Sequence, residues 1–445
     1  MTAIRVGSGA GFADDRIEPA VELAEHGQLD YLVFECLAER TIALAQRERL
    51  RDPLAGFNPW LGERMDAVLG HCARAGIRII TNMGAANPLA AAELVADLAR
   101  RKGLPGLKIA AVTGDDVLGL VAGSDLPLLD RPGTIASLGE SVISANAYLG
   151  CEDIVQALAD GADVVITGRV ADPSLYLAPL VHAFGWRLDD WDRLGQGVCV
   201  GHLLECAGQV TGGYFADPGV KDVPGLARLG FPLAQVTADG AFTITKVPGS
   251  GGRVSVRTCT EQLLYEVHDP AAYVSADVVA DFSGACLTQA GQDEVAVTGI
   301  TGAPRPDTLK VSVGYLDGYV GEGEISYAGP NAEARGRLAL DLVRERLELT
   351  GMPAGEARFE LIGLDAVHRG TGGTAAGPRE VRARVAGRTA TLGQAHRIGR
   401  EVSALWLNGP AGGAGAVARA AGIVAIASVL LPRHQVAAGI TVLEA

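Results

Sequence analysis

From Met1 to about Gly213 the apolar and polar positions switch between two periods. Short β-branched runs, "AIRVGSG", "LDYLVFECLA", "IRIITNMGAANP", "LKIAAVTGDD" and "ADVVITGR", are separated by longer stretches. Among these, "RIEPAVELAEHG", "RTIALAQRERL", "LGERMDAVLGHCARAG", "LAAAELVADLARRKG" and "CEDIVQALADG" repeat apolar residues at helical spacing. Strands alternating with helices of this length predict right-handed βαβ units. The expected fold class is therefore α/β, with an N-terminal, mostly parallel sheet flanked by helices in a Rossmann-like manner. Ligands of such sheets bind in the crevice beyond the strand C-termini.

After about Tyr214 the pattern changes. "AFTITKV", "GRVSVRTCT", "DVVADFS", "DEVAVTGI" and "TLKVSVGYLDGYVGEGEISYAG" read as strands with hairpin signals. One clear helix, "NAEARGRLALDLVRERLELTG", and the strands "RFELIGLDAV" and "REVRARVAG" follow. The longest apolar stretch, Ala420 to Pro432, is shorter than the roughly 20 residues a bilayer requires, and reads as a buried helix near Gly422. This half predicts a C-terminal α+β domain. No Pro- or Ser-rich linker intervenes, and a length of 445 residues suits two domains, 1–213 and 214–445, packed closely.

Composition adds exclusions more than assignments. A hydrophobic fraction of 48% with 59 glycines predicts a compact chain with close backbone approaches. A net charge of -14 argues against nucleic-acid and anionic-membrane surfaces, which need clustered Lys and Arg. "MTAIRVGSGAGF" lacks the charged and apolar regions of a leader peptide. Seven scattered cysteines without C-x-x-C fit reduced thiols in the cytoplasm, and give neither a zinc-ribbon nor a disulfide signal.

Every strand of the first half ends in small or polar residues. "GSGAGFADDR" offers glycines and Arg16 to an anion, but it is neither G-x-G-x-x-G nor a Walker loop. Glu35 and Glu39 flank a strand-to-helix turn, as candidate proton-transfer groups or metal ligands; Glu39 also suits the positive end of a helix. Asn82 and Asn87 can bind a carbonyl or carboxylate, although Asn87 before Pro88 reads equally as a cap. Asp115 and Asp116 are either cap or crevice wall, and Asn146 precedes a helix. Arg169 can fork a substrate carboxylate or phosphate, and Asp172 can pair with it or cap the helix after Pro173.

His202 and Glu205 share one helical face, as an acid/base pair, two ligands for a divalent metal, or a buried histidine satisfied by its neighbour. Two glycine-rich turns, with Gly249, Gly251 and Gly252 in the first and Gly412 and Gly413 in the second, can cradle the pyrophosphate of a coenzyme A thioester. The second is expected to lead into a helix. No G-x-S-x-G elbow or local nucleophile signature occurs.

"FADDR", "LDYLVFECLAERT", "NMGAANP", "TGRVADPSLYLAPLVHAFGW", "GHLLECAGQVTGGYF", "EQLLYEVHDPAAY" and "TLKVSVGYLDGYVGEGEISYAGPNA" resemble the acyclic terpene utilisation (AtuA-like) family over nearly the whole chain. The resemblance implies work beside enzymes that degrade branched acids and terpenoids. Where members usually have glycine before the first Asp-Arg, this chain has Asp14. Many members carry a further small C-terminal domain, expected here as a separate polypeptide.

Together these readings give a hydratase or dehydratase acting on a carboxylic acid or its CoA thioester. Arg169 would hold the carboxylate, Glu35, Glu39 or the His202/Glu205 pair would move the proton, and Asn82 or Asn146 would stabilise an enolate. The alternatives are hydrolysis of a thioester or amide, and a non-catalytic acyl-CoA-binding or assembly subunit. A homo-oligomer is expected in each case.

Overall fold

In chain order the first elements are strand β1 (Ala3–Ala10), helix α1 (Glu18–His26), β2 (Tyr31–Phe34), α2 (Glu39–Arg51), α3 (Leu61–Ala75), β3 (Arg78–Thr81), α4 (Pro88–Arg101) and β4 (Lys108–Thr113). The short α5 (Leu118–Val121), β5 (Val142–Ala147), α6 (Glu152–Ala159), β6 (Val164–Thr167), α7 (Ser174–Phe184) and α8 (Trp191–Leu204) follow. This is a computed structural model, and it describes residues 3–352, 356–367 and 378–445.

Strands β1, β2, β3, β6 and β4 lie side by side in that order, all parallel. Their residues are buried on both faces, which explains the unbroken apolar runs. Leu32, Phe34, Ile79, Ile109 and Ile166 pack with Leu23, Met65 and Val95 of α1, α3 and α4. The alternate residues Val33, Ile80 and Val165 are buried on the other face. There α7 lies against β1 and β2, and α6 against β4 and β6. Local chemistry sets the helix ends: Asn87 accepts from the Ala90 N–H at 3.4 Å before Pro88, and Gly76 closes α3 with φ +71°.

Beyond these come β7 (Pro232–Thr237), β8 (Phe242–Lys246), α9 (Val256–Leu264), β9 (Tyr273–Val274), β10 (Val279–Asp281), β11 (Cys286–Gly291), β12 (Glu294–Thr298), β13 (Thr301–Ala303) and β14 (Thr308–Ala328). The chain ends with α10 (Ala332–Leu349), β15 (Arg358–Ile362), β16 (Glu380–Thr389), α11 (Leu392–Asn408), β17 (Ala414–Pro432) and β18 (Gly439–Glu444). The parallel strands are the centre of a ten-stranded mixed sheet, β11-β12-β8-β7-β1-β2-β3-β6-β4-β18, whose outer strands are antiparallel.

The chain divides into two compact units, Met1–Tyr315 with Ile426–Ala445, and Leu316–Ala425. The expected boundary at 213/214 is not where they part, because β7, β8, β12 and β11 extend the first sheet. Within Leu316–Ala425, α10 and α11 bury Ile325, Tyr327, Val381, Val385 and Ile398 against one face of a sheet. A Cβ on Gly321 would lie 2.0 Å from the Ala395 carbonyl oxygen, so α11 sits almost on the backbone of β14. The opposite face carries charge, with Arg384 2.8 Å from Glu360 and 2.5 Å from Glu322.

Two readings of the second half are corrected. The apolar run Ala420 to Pro432 belongs to strand β17 rather than to a helix: short apolar runs carry no period, and the pairing with β14 decides. The stretch "GRVSVRTCT" is mostly helix α9, because Ser255 caps it, its Oγ accepting from the Thr258 N–H at 3.2 Å.

Candidate functional site

The strand ends converge as the alternation of elements predicts. Glu35 follows β2, Asn82 follows β3, Asp115 follows β4 and Arg169 follows β6, and all four are buried. The Asn82 side-chain amide donates to Glu35 Oε1 at 2.8 Å, and its carbonyl oxygen accepts from the Cys36 N–H at 2.7 Å. Asp115 Oδ2 accepts from the Arg169 N–H and from the Asn146 side chain, each at 2.9 Å, and so ties β5 to the ends of β4 and β6. Gly168 is required here, since a Cβ on it would lie 2.3 Å from Asp115 Oδ1.

Arg169 is at the centre and only 1% exposed. Its Nη1 donates to the Leu37 carbonyl, its Nη2 to Asp172 Oδ1 at 2.5 Å, and its guanidinium lies 4.2 Å above the Tyr148 ring. It is therefore not open to fork a substrate carboxylate, and it holds Asp172 instead. Asp172 does not cap α7, whose N-terminus has no side-chain cap. The Asp172 side chain is 34% exposed and lines a cavity of about 330 Å³. Tyr148, Tyr273 and Lys310 share that wall, while Val274, Ala276, Pro306, Leu309 and Leu430 form apolar sides.

Behind the wall, Glu39 Oε1 accepts from the Tyr148 hydroxyl and from Lys310 Nζ, the latter at 3.1 Å. Burial alone would raise Glu39, but the Tyr148 hydrogen bond and the charges of Arg169 and Lys310 hold it down at about 2. Glu39 is thus a fixed anion. Asp172 behaves oppositely, pushed up to about 7 by burial against the pull of Arg169, with Glu205 adding to the rise. Burial also raises Glu35 well above the ordinary carboxylate range, and Asp115 to about 6.

His202 and Glu205 are in contact, with Nδ1 2.9 Å from Glu205 Oε1, while Nε2 faces the Leu263 carbonyl at 3.2 Å. Burial would lower the imidazole, yet the carboxylate and the carbonyl raise it above its usual value. Its ring stacks on Phe282, 5.8 Å between centroids, and tilts against Tyr273 of the cavity wall. Glu205 Oε2 is buried with no hydrogen-bond partner among the described residues.

The other expected residues are used elsewhere. Arg16 donates to the Leu226 carbonyl at 3.1 Å and is not part of the cluster. Asn87 caps α4 and donates to the Pro53 and Ala55 carbonyls. In the first glycine turn the Gly251 and Gly252 amides donate to Arg228 and Pro224 carbonyls, at 2.8 and 2.7 Å, so they are not turned to a phosphate. Gly249 and Gly252 have φ of +83° and +89°, which explains their identity as turn residues. Gly412 and Gly413 lead into β17, not a helix, so no helix N-terminus backs that turn.

Tyr148, Tyr273 and Lys310 went unmarked in the sequence. Tyr148 stands two residues after Asn146, within a polar strand end, and was the readable one. Among the described residues one group has metal-ligand spacing, Cys151, Glu152 and Asp277, none of which is a sequence candidate. Asp277 there already accepts from the Cys151 N–H at 2.8 Å and from the Ser174 hydroxyl.

Compared with known proteins, residues 4–442 match the family model described as acyclic terpene utilisation family protein AtuA. No curated protein and no solved structure matches.

Proposed function

Since the chain belongs to the acyclic terpene utilisation family AtuA, we propose that it is a lyase of the hydratase or dehydratase type, acting on a branched carboxylic acid or its CoA thioester. One observation carries this reading: the Asp172 carboxyl, held by Arg169 at 2.5 Å and pushed by burial above the ordinary carboxylate range, stands on the wall of a largely apolar cavity that Lys310 also lines. A carboxyl so poised takes and returns protons at neutral pH. Removing the proton α to the carbonyl, and passing it to a departing β-hydroxyl, converts a 3-hydroxyacyl group into an enoyl group and water with no other reactant. Lys310 faces the oxygen on which charge develops, and Glu39 holds Lys310 and the Tyr148 hydroxyl in place. The apolar walls suit an acyclic branched chain.

The test is turnover of branched 3-hydroxyacyl and enoyl thioesters and free acids, with and without Mg²⁺, followed by enoyl absorbance. Wild type should interconvert them, with a pH-rate limb near 7 that disappears in Asp172→Asn. Release of free thiol would assign hydrolysis instead. Binding without any turnover would leave an acyl-carrying subunit and overturn the lyase.

A further inference from the structure

We propose that two copies of this chain associate through β17, whose outer edge in each copy pairs antiparallel with the same edge of the other. The unit Leu316–Ala425 orders its strands β15-β16-β14-β17, so β17 ends the row. From Ala414 to Ala421 most residues are exposed, and from Ala414 to Ala425 no backbone hydrogen bond outside the strand pairing occurs among the described residues. Further along, Ser428 does receive one, from the Leu129 N–H at 2.9 Å. The open stretch, "AGAVARAAGIVA", has one charge and no proline. Exposed edges are normally blunted by lysine, proline or a bulge, and this stretch has neither lysine nor proline.

A second feature lies beside it. Gly399 of α11 touches β17, a Cβ there falling 2.7 Å from Ala418 Cβ. Leu392 and Trp406 are seven residues before and after Gly399, two helical turns in each direction, and so share its stripe. They are 42% and 60% exposed. The occupant must therefore supply a strand edge and an apolar helix stripe on the same side. A second copy related by a twofold axis perpendicular to the sheet supplies both at once. A charged partner would find only Arg419 to meet.

The charge also disfavours one register. Ala416 packs toward the helices and Ala418 against Gly399, so even residues face the helices and Val417, Arg419 and Ala421 face away. Pairing centred on Arg419 would oppose two guanidinium groups. Pairing centred on Ala418 sets Arg419 across from Val417, and pairing centred on Ala420 sets it across from Ala421.

Sedimentation of the full chain at micromolar concentration should give twice the 45.9 kDa chain mass. Val417→Lys with Ala421→Lys places a lysine against Arg419 in either register, and should give single chains with unchanged circular dichroism. Independently, oxidation of Ala418→Cys or Ala420→Cys, each in a Cys286→Ser background, should produce a covalent dimer from one of the two, which then marks the axis. A wild type that sediments as one chain, a lysine variant that remains dimeric, or failure of both cysteines to cross-link overturns the proposal.

Discussion

Replacing Asp115 by Asn tests whether the strand-end cluster is as dry as its geometry indicates. Burial raises this carboxyl from 3.8 to about 6, against the two hydrogen bonds that favour its charged form. The folded state thus holds the proton more tightly than the unfolded chain. The stability this contributes is complete below about pH 4 and is lost as pH rises through 6. About two units at 1.36 kcal/mol each amount to a loss of about 3 kcal/mol by neutral pH. Asparagine keeps an acceptor oxygen for both donors and has no proton to lose. Urea unfolding of both proteins at about pH 3.5 and about pH 7.5 gives a double difference in which all other groups cancel. A Trp406→Phe background leaves Trp60, Trp186 and Trp191, all within Met1–Tyr315, as the fluorescence reporters. The variant should gain about 3 kcal/mol on wild type between the two pH values. No change, or a change of opposite sign, would show that water reaches the carboxyl and would refute the reasoning.

Asp172→Asn should destabilise by about 3 kcal/mol in urea unfolding, because a buried guanidinium cannot shed its charge, while Arg169→Met should cost less, since Asp172 can take up a proton. Equal losses would contradict that asymmetry. Gly168→Ala drives a methyl into Asp115 and should cost about 2 kcal/mol in thermal unfolding, whereas Gly119→Ala, with nothing near, should be neutral or slightly stabilising. With a thiol reagent on the native protein, Cys286 should react first and alone on a fast timescale, since it is the exposed one of seven and burial raises the others. Lys310→Met should raise KM for anionic acids about tenfold with little effect on unfolding, the loss of one charge-assisted contact; an unchanged KM would remove Lys310 from the substrate.

The parallel centre of the sheet was legible because its strands are buried on both faces and its helices on one. Each period is then written plainly, as in "DYLVF" against "RMDAVLGHCARAG". The division into units was not, because β8, β12 and β11 join the sheet only through β7, whose partner, β1, lies over two hundred residues earlier. Register Val6↔Ala234 is a tertiary choice with no local mark. The same reason hides β17: an apolar run is compatible with helix or strand until β14 is placed beside it.

At the site, position was legible and role was not. A residue just past a parallel strand lies at the strand ends, and Glu35, Asn82, Asp115 and Arg169 all do, buried there rather than lining the cavity. Whether it meets ligand or supports a neighbour depends on what the rest of the chain brings to the rim. β14 brings Lys310, which meets Glu39 across 271 positions of sequence, and with it the cation that the cavity presents. Once Lys310 is there, Arg169 has a different consequence: sealed under Tyr148 and bonded to Leu37 and Asp172, it adds no charge to the cavity but orients Asp172 and opposes the rise that burial imposes on it. Under the proposed function, the two cations divide the work, the buried one acting on the carboxyl assigned to proton transfer and the open one on the anion, and only the open one should respond to the charge of the substrate.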